Sequence, residues 1–228
     1  MGARRVGEGD GYGGYRALLV ETLRDKGIRD LAVLHAVSIV PRHLFVPASV
    51  RHRAYEDSAL PIGAGQTISQ PYVQARSLEL LRLRGTDRVL EVGAGSGYQT
   101  ALLASLASTV LAVERIPELA RGARDALAEA GIGNASVVVG DGTLGWRAYA
   151  PYDAIVVAAA SPQVPGPLIE QLAEAGRLVI PLGDQDVQVL TLVEKNGGQV
   201  RTTTVSDVRF VPLLGEHGFP GSPDPRIP

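Results

Sequence analysis

Cysteine is missing from this sequence of 228 residues. The protein therefore forms no disulfide, holds no zinc through thiolates and has no sulfur nucleophile. Histidines are few, and their spacing is not typical of metal ligands, so no metal site is predicted. These residues are His35, His43, His52 and His217.

Long apolar runs are also missing. The longest unbroken one spans residues 154–160, whereas a helix that crosses a bilayer needs about 20 residues. Residues 1–14 hold Arg4 and Arg5 with no apolar stretch behind them, which is not the pattern of a signal peptide. The formal net charge is -2, so no overall positive field attracts nucleic acid. We therefore expect a cytoplasmic monomer that binds neither membranes nor nucleic acid.

Length and composition indicate one globular domain with short flanking segments. Hydrophobic residues make up 45% and charged residues 20%, which excludes a disordered chain. Recurrent glycines predict a flexible tail over residues 1–14, and a second tail is expected over 215–228. The single domain between them, 15–214, divides into a helical annex with a long loop (15–84) and an α/β core (85–214).

The hydrophobic pattern predicts strands that alternate with helices. Predicted strands cover residues 89–92, 109–113, 135–139, 152–157 and 177–181, and a last pair, 187–194 and 200–210, is joined by the hairpin signal Asn196-Gly197-Gly198. Predicted helices cover residues 15–26, 30–39, 71–83, 98–107, 117–131 and 167–176, and the segment 42–71 is predicted to be irregular. The fold is predicted to be α/β, a doubly wound, mostly parallel sheet with a helical N-terminal annex and a C-terminal antiparallel hairpin.

Four segments that could bind a ligand follow the first four core strands. They are the glycine loop 93–97, Glu114, Asp141 and the alanine run 158–160. In a doubly wound sheet, ligands bind beyond the carboxyl ends of the strands, where the strand order reverses. The four segments therefore predict a single ligand site.

The glycine loop alone is weak evidence, because a tight strand-to-helix turn has the same pattern. A dinucleotide-binding loop has glycine at its first, third and sixth positions, but here Tyr98 takes the sixth. Glu91 lies two residues before Gly93, and a carboxylate there repels a pyrophosphate and attracts a cation. Together with Gly95 and Gly97, this favours S-adenosylmethionine, which carries a sulfonium and an amino group.

Two acidic residues complete the predicted cofactor site. Glu114 follows Gly93 by 21 positions, where a carboxylate can accept both ribose hydroxyls of an adenosine. Its alternative role is a charge near the N-terminus of the next helix. Asp141 lies between Gly140 and another glycine and can accept the adenine amine, or it can form a simple Asx turn. Counted together, these residues predict an S-adenosylmethionine site.

Missing motifs narrow the reaction. Methylation of a base at carbon 5 needs a cysteine nucleophile, and residues 158–162 offer no polar clamp for an exocyclic amine. Neither a Gly-x-Ser-x-Gly elbow nor a Gly-Lys-Ser/Thr phosphate loop occurs. The remaining candidate is the segment 65–71, in which Thr67 and Ser69 precede a predicted helix. A hydroxyl there either caps the helix or helps to bind a carboxylate.

Over residues 15–214 the sequence resembles the protein-L-isoaspartate O-methyltransferase family. The resemblance rests on residues 41–47 (PRHLFVP), 54–57 (AYED), 66–72 (QTISQPY), 89–98 (VLEVGAGSGY), 140–142 (GDG) and 208–213 (VRFVPL). The glycine loop is common to most methyltransferases, whereas the TISQP segment is specific to this family. The resemblance implies the class I S-adenosylmethionine-dependent fold, with a Rossmann-like core and a substrate loop in the annex.

The resemblance also implies an activity and residue roles. The activity is transfer of a methyl group to the free α-carboxylate of L-isoaspartyl residues in damaged proteins. Ser69 is the implied active-site hydroxyl, and Thr67, Ile68 and Val211 are implied to contact the substrate peptide. The implied cofactor contacts are Glu91, Gly93, Gly95, Ser96, Gly97, Glu114, Gly140 and Asp141.

Two alternatives are kept beside this function. One is a methyltransferase of the same fold that acts on a small molecule or RNA. The other is a non-catalytic module that binds S-adenosylmethionine. One residue departs from the family pattern, because Gln74 stands where bacterial relatives usually have an aliphatic side chain, at the rim of the expected cofactor site.

Overall fold

The computed structural model describes residues 11–184 and 186–220. The helices in this part of the chain are α1 (Gly13–Asp25), α2 (Leu31–Ile39), α3 (Pro71–Leu81), α4 (Tyr98–Ala104), α5 (Pro117–Glu129) and α6 (Gly166–Gln171). The strands are β1 (Leu60–Gly63), β2 (Gln66–Ile68), β3 (Arg88–Val92), β4 (Thr109–Glu114), β5 (Ala135–Val139), β6 (Tyr152–Val157), β7 (Leu172–Gly183), β8 (Gln188–Asn196) and β9 (Gln199–Val208). Short 3₁₀ helices cover Arg42–Phe45, Ala48–Arg53, Gly142–Leu144 and Arg147–Tyr149.

The core is one seven-stranded sheet in the order β5-β4-β3-β6-β7-β8-β9. The first five strands in this order are parallel, and β8 and β9 are antiparallel. Val89 of β3 belongs to one hydrophobic cluster, and Leu90 and Val92 belong to another, so both faces of the sheet are covered. The predicted doubly wound α/β fold is confirmed.

The predicted C-terminal hairpin is also confirmed. β8 and β9 meet at Asn196 and Gln199, which pair directly. The two residues between them, Gly197 and Gly198, have φ values of 59° and 75°. Two successive positive φ values match the turn that suits the twist of a tight hairpin, and glycine adopts them without strain.

The helical annex packs against one face of the sheet. Leu23 of α1, Val33 of α2 and Leu78 of α3 lie in the same hydrophobic cluster as Val89. The predicted cap of the second helix is present, because Asp30 accepts hydrogen bonds from two backbone N–H groups of its first turn. Among the described helices, none is both long and apolar enough to span a membrane.

The segment predicted to be irregular, 42–71, contains structure that the sequence pattern did not reveal. β1 and β2 form a small antiparallel hairpin in which Leu60 pairs with Ile68. The connection uses positive φ values of 51° at Ala64 and 70° at Gly65. Strands of four and three residues are too short to show an alternating pattern, which is why this hairpin was not predicted.

The boundary between α6 and β7 also differs from the prediction. The helix was expected to extend to residue 176, but it ends at Gln171, and Leu172 already pairs with Tyr152 of β6. Lys195 Nζ donates to the carbonyl oxygens of Ile169 and Leu172 at 3.2 and 2.8 Å. This contact from β8 satisfies carbonyls that a longer helix would have bonded internally, so the chain can enter the sheet early.

The N-terminal boundary lies earlier than the one predicted. The tail was expected over residues 1–14, yet α1 begins at Gly13. The Tyr12 ring stacks on the His43 ring with 4.1 Å between centroids, which ties this end to the annex. The rest of that predicted tail, residues 1–10, lies outside the described residues.

The C-terminal boundary differs as well. A tail was expected from residue 215 onward, but the backbone N–H of Glu216 donates to Asp141 Oδ2 at 2.8 Å. The N–H of His217 donates to Thr143 Oγ1 at 3.1 Å. The first residues of this segment are therefore part of the packed structure, and residues 221–228 lie outside the described part of the chain.

Candidate active site

A cleft opens at the carboxyl ends of β3, β4 and β6. This is the point where the strand order reverses, because β3 lies between β4 and β6. The predicted site residues in its lining are Thr67, Ile68, Ser69, Glu91, Gly93, Gly95, Ser96, Glu114 and Val211.

The glycine loop forms one wall of the cleft in a conformation that requires glycine. Gly93, Gly95 and Gly97 have φ values of 89°, 54° and 86°. All three lie in the left-handed region, which residues with a side chain rarely adopt. Gly93 and Gly95 also line the cleft, so their backbone can come close to a ligand.

Gly97 and Gly140, two of the predicted cofactor contacts, do not line this cleft. A Cβ atom at Gly97 would lie 3.2 Å from the Cβ of Ala123, so the glycine lets α4 pack close to α5. A Cβ atom at Gly140 would lie 3.1 Å from the Trp146 ring. Both glycines have packing roles here, and their contact with a cofactor stays a prediction.

Glu114 links the end of β4 to the glycine loop. Its Oε2 accepts the N–H of Gly95 at 2.8 Å, and its Oε1 accepts the N–H of Ile116 at 2.9 Å. Each carboxylate oxygen can accept a further hydrogen bond, and the residue lines the cleft. This geometry is compatible with the predicted contact to the ribose hydroxyls.

Replacing Glu114 by alanine is expected to weaken S-adenosylmethionine binding by about 1.5–3 kcal/mol, or roughly 10- to 150-fold in Kd. The reason is loss of hydrogen bonds to a charged acceptor. Calorimetric titration measures the effect, and Glu129→Ala, at the exposed far end of α5, is the matched control. An unchanged Kd for Glu114→Ala would remove this residue from the ribose role.

Glu91 is fully buried at the cleft. Burial raises the pKa of its carboxyl to about 8. A hydrogen bond from the Thr100 hydroxyl opposes the shift, and the charge of Glu114 adds to it. A cation bound beside this carboxyl would lower its pKa again, because it stabilises the carboxylate. The predicted attraction for a sulfonium or amino group is therefore coupled to the ionisation of Glu91.

Two buried polar atoms in the cleft lining fit a polar ligand. Within the described part of the chain, neither Glu91 Oε1 nor Gln99 Nε2 makes a hydrogen bond of good geometry, although the Gln99 side chain is close enough to Glu91 to lower its pKa. Both residues line the cleft. A buried acceptor and a buried donor without partners are costly, so a ligand that satisfies them gains affinity. S-adenosylmethionine, with amino and carboxylate groups, has the chemistry to do so.

Asp141 lies outside the cleft lining in this structure. Its Oδ1 accepts the N–H and the hydroxyl of Thr143 at 2.8 and 2.7 Å, and its Oδ2 accepts the N–H of Glu216. A Cβ atom at Gly215 would lie 2.2 Å from Asp141 Oδ1, so only glycine fits beside the carboxylate. The structure thus contains the Asx-type turn that was the alternative, whereas Gly142 lines the cleft. The adenine contact of Asp141 stays a prediction.

The Ser69 hydroxyl does not cap α3. The cap residue of that helix is Gln70, which makes no side-chain capping hydrogen bond. Instead, Asp57 Oδ1 accepts the N–H of Tyr72 at 2.8 Å, and Lys26 pairs with the same carboxylate. A distant carboxylate therefore satisfies the helix end, and Ser69, which lines the cleft, is not needed there.

A second depression adjoins the first. The two share Thr67, Ser69, Ala158 and Val211. The second one runs on along the end of β9 and past it, where its lining includes residues 207–211. One surface feature therefore consists of a cleft at the sheet edge and an adjoining groove, and Ser69 is one of the residues that line both.

Sequence reasoning missed several residues of the cleft. Ile116 and Leu119 follow Glu114 closely, so their place after β4 was a usable signal. Gln99 lies on α4 behind the glycine loop, and nothing in the sequence separates it from the neighbouring buried positions. Gln74 was noted only for its unusual residue type, and the structure places it in the lining, 5% exposed.

The sheet order, the glycine loop at its switch point and the buried carboxylate after β4 define a class I S-adenosylmethionine-dependent methyltransferase. A family model for protein-L-isoaspartate(D-aspartate) O-methyltransferase matches residues 7–218. The chain belongs to this family.

Individual relatives agree with the family match. The chain is 54% identical over 203 residues to a protein-L-isoaspartate O-methyltransferase of Methanoculleus marisnigri, covering 89% of this chain and 92% of the relative. The corresponding protein of Aeropyrum pernix is 53% identical over 218 residues, with 93% and 84% covered. These relatives match most of the chain.

Solved structures give the same result. A structure named protein-L-isoaspartate O-methyltransferase has a TM-score of 0.80 at 29% identity, covering 89% of this chain and 67% of that one. A Plasmodium falciparum structure, described as a putative enzyme of this kind in complex with S-adenosyl-L-homocysteine, has a TM-score of 0.78 at 27% identity, with 88% and 98% covered. The cofactor of this family is S-adenosylmethionine.

Proposed function

We propose that the protein methylates the free α-carboxylate of L-isoaspartyl residues in damaged proteins, and that Ser69 orients this carboxylate. The observation that carries the proposal is that Ser69 lines both the cleft and the groove. A cofactor in the cleft and a peptide in the groove would have their reacting groups on either side of that hydroxyl.

The chemistry of the lining supports a carboxylate as the acceptor. A free α-carboxyl has a pKa of about 3.5, so it is ionised at neutral pH and needs no general base. The described lining of the cleft contains neither histidine nor lysine, and its carboxylates, Glu91 and Glu114, already accept hydrogen bonds from the protein. Methyl transfer to an amine or a hydroxyl gains from a base that removes a proton. The residues present therefore favour a substrate that is already an anion.

The proposed roles of the residues divide between the two reactants. S-adenosylmethionine supplies an electrophilic methyl group on a positively charged sulfur. Gly93, Gly95 and Glu114 would hold it in the cleft. Ile68 and Val211 would fix the peptide backbone through main-chain hydrogen bonds, while the Ser69 hydroxyl donates to the substrate carboxylate. Alignment of the two reactants and exclusion of water are then the main contributions of the protein.

The proposal is tested by incubation with S-adenosylmethionine and a synthetic isoaspartyl peptide. Formation of a peptide methyl ester is the expected result. No ester under conditions in which calorimetry detects cofactor binding would refute the substrate, and turnover of RNA or of a small molecule would then identify the alternative methyltransferase. Binding without turnover of any of these acceptors would favour the non-catalytic module.

Replacing Ser69 by alanine is expected to lower kcat on the isoaspartyl peptide about 10- to 100-fold, with little change in cofactor Kd. The hydroxyl would orient the carboxylate, and loss of one orienting donor costs up to a few kcal/mol in the barrier. Because Ser69 does not cap α3, its loss should leave the melting temperature nearly unchanged. Ser108→Ala on the exposed surface is the matched control. A normal kcat for Ser69→Ala would exclude the orienting role.

We further propose that the protein acts as a monomer in the cytoplasm, on protein substrates and without a nucleic-acid or membrane partner. The small net charge of -2 supports the absence of a nucleic-acid partner. Sedimentation at micromolar concentration would reveal any stable dimer.

A further inference from the structure

Arg42 is a buried cation directly behind the Ser69 segment. Its side chain is fully inaccessible to solvent. Nη2 donates to the backbone carbonyl oxygen of Ser69 at 3.0 Å, and Nη1 donates to Gln74 Oε1 at 3.0 Å. Both acceptors belong to residues that line the cleft. The guanidinium thus contacts the proposed active-site segment from the inside of the protein.

The charge of Arg42 is retained although it is costly to bury. Among the described residues, no carboxylate forms an ion pair with it. Burial lowers the pKa of the guanidinium to about 10, so it is still protonated at neutral pH. A buried cation bonded only to neutral acceptors contributes little to stability in comparison with an apolar side chain. The buried guanidinium of Arg42 therefore matters through the geometry of its hydrogen bonds rather than through a contribution to folding stability.

The same guanidinium also contacts the helix that follows the glycine loop. Its central carbon lies 4.7 Å from the centroid of the Tyr98 ring, a cation–π contact. Tyr98 is the first residue of α4 and follows the glycine loop directly. Arg42 therefore joins the Ser69 segment to the helix that begins at the glycine loop. The planar guanidinium of arginine fixes the directions of these contacts, whereas the flexible ammonium group of lysine does not.

We propose that Arg42 is a positioning residue for methyl transfer: it holds the Ser69 segment at a fixed distance from the glycine loop, so that the Ser69 hydroxyl meets the substrate carboxylate in line with the methyl group. The proposal rests on the proposed role of Ser69. Gln74 is the second point of attachment, which gives a function to the residue that departs from the family pattern. Displacement of a reacting group by 1 Å can cost about 100-fold in rate, so a brace of this kind affects turnover without touching the substrate.

The main test is Arg42→Lys, which keeps the charge and removes the planar guanidinium. We expect kcat on the isoaspartyl peptide to fall about 10- to 100-fold, while the Kd for S-adenosylmethionine changes less than about twofold. Arg51→Lys, at an exposed position of the next 3₁₀ helix, is the matched control and should behave as the unmodified protein. Gln74→Leu keeps Arg42 in place and removes one of its acceptors, so a smaller fall in kcat is expected.

A variant that is destabilised away from the cleft distinguishes a positioning role of Arg42 from a merely structural one. Leu34→Ala removes buried apolar contacts in α2, away from the cleft, and its melting temperature should fall. Well below the melting temperatures of both variants, kcat should be normal for Leu34→Ala and low for Arg42→Lys. Equal kcat values in the two variants would overturn the proposal. If Arg42→Lys does not fold, Gln74→Leu decides: a normal kcat in that variant overturns the proposal.

A double-mutant cycle tests whether Arg42 acts through Ser69. In the Ser69→Ala background there is no hydroxyl to misplace, so Arg42→Lys should cost much less than it does alone. Fully additive losses would overturn the proposal, and so would a loss with Arg42→Lys when Ser69→Ala is without effect.

Hydrogen exchange provides a readout that does not need turnover. Backbone amides of residues 66–74 should exchange faster in Arg42→Lys, while those of 119–129 in α5 stay unchanged. Unchanged exchange at residues 66–74 would overturn the proposed positioning role of Arg42 even if the protein is active. Absence of turnover in the unmodified protein, with faster exchange in the variant, would instead refute the proposed function and leave the brace supported.

Discussion

Gly95→Val is expected to abolish detectable binding of S-adenosylmethionine. Gly95 has a φ of 54°, in the left-handed region that costs L-residues about 1–2 kcal/mol and β-branched ones more. Its Cβ would lie 3.3 Å from Ile62 Cδ1, closer than an ordinary contact, and the residue itself lines the cleft. The substitution also disturbs the N–H that donates to Glu114, so both the loop and the proposed ribose contact are affected.

Calorimetric titration with S-adenosylmethionine measures this loss. Gly133→Val is the matched control, because a Cβ there meets nothing within 4 Å and the residue has no positive φ. Circular dichroism and a melting curve show whether the variant is folded. Should Gly95→Val fail to fold, Gly95→Ala still has the strain at φ and a smaller volume, and a weaker but measurable loss is expected. Normal affinity in a folded Gly95→Val would place the cofactor away from this loop.

Aspartyl peptides are expected to react at least about 100-fold more slowly than their isoaspartyl isomers. In an isoaspartyl residue the free carboxylate is attached to the α-carbon, and the chain continues through the side-chain carbonyl. In aspartate the carboxylate lies one methylene further from the backbone. If Ile68 and Val211 fix the backbone in the groove, the aspartyl carboxylate misses the in-line position, about 3–3.5 Å from the methyl carbon, by more than about 1 Å. Both carboxylates are ionised at neutral pH, so the difference is geometric and not electronic.

The measurement compares kcat/KM for two peptides of the same composition, one with the normal and one with the isomerised linkage. A third peptide, with asparagine at that position, is the control for methylation elsewhere and should give no ester. Equal rates on the two aspartate isomers would contradict recognition through the backbone and favour the alternative methyltransferases.

The core of the site was predictable because its residues follow parallel strands. Glu91 lies near the end of β3, Gly93 and Gly95 follow that strand, and Glu114 ends β4. The alternation of strands and helices was therefore enough to bring them to one edge of the sheet. The hydrophobic pattern carries that information locally, and the handedness of crossover connections supplies the rest. The position of Ser96 in the lining follows from the same local rule.

Short and contact-dependent features were not predictable in this way. The β1–β2 hairpin was not predicted because its strands are too short to show a pattern. The early end of α6 was not predicted because it depends on Lys195 of β8, whose side chain donates to carbonyl groups at the end of the helix. Asp141 shows the same limit at a site residue. Its sequence neighbours allowed both an adenine contact and a local turn, and they gave no sign that Asp141 also accepts the N–H of Glu216, 75 residues further along the chain.

The sequence by itself determined the α/β fold, the edge of the sheet at which the cleft forms and the residue types that face it, since these follow from periodicity and chain order. Only the tertiary structure decided which polar groups are engaged and which are left for a ligand. Asp57, not Ser69, accepts the N–H at the start of α3, burial raises the pKa of Glu91, and Arg42 donates to the Ser69 carbonyl, 27 positions away in the sequence. Hydrogen-bond partners and desolvation depend on distances between segments far apart in the chain, and a linear pattern does not contain those distances.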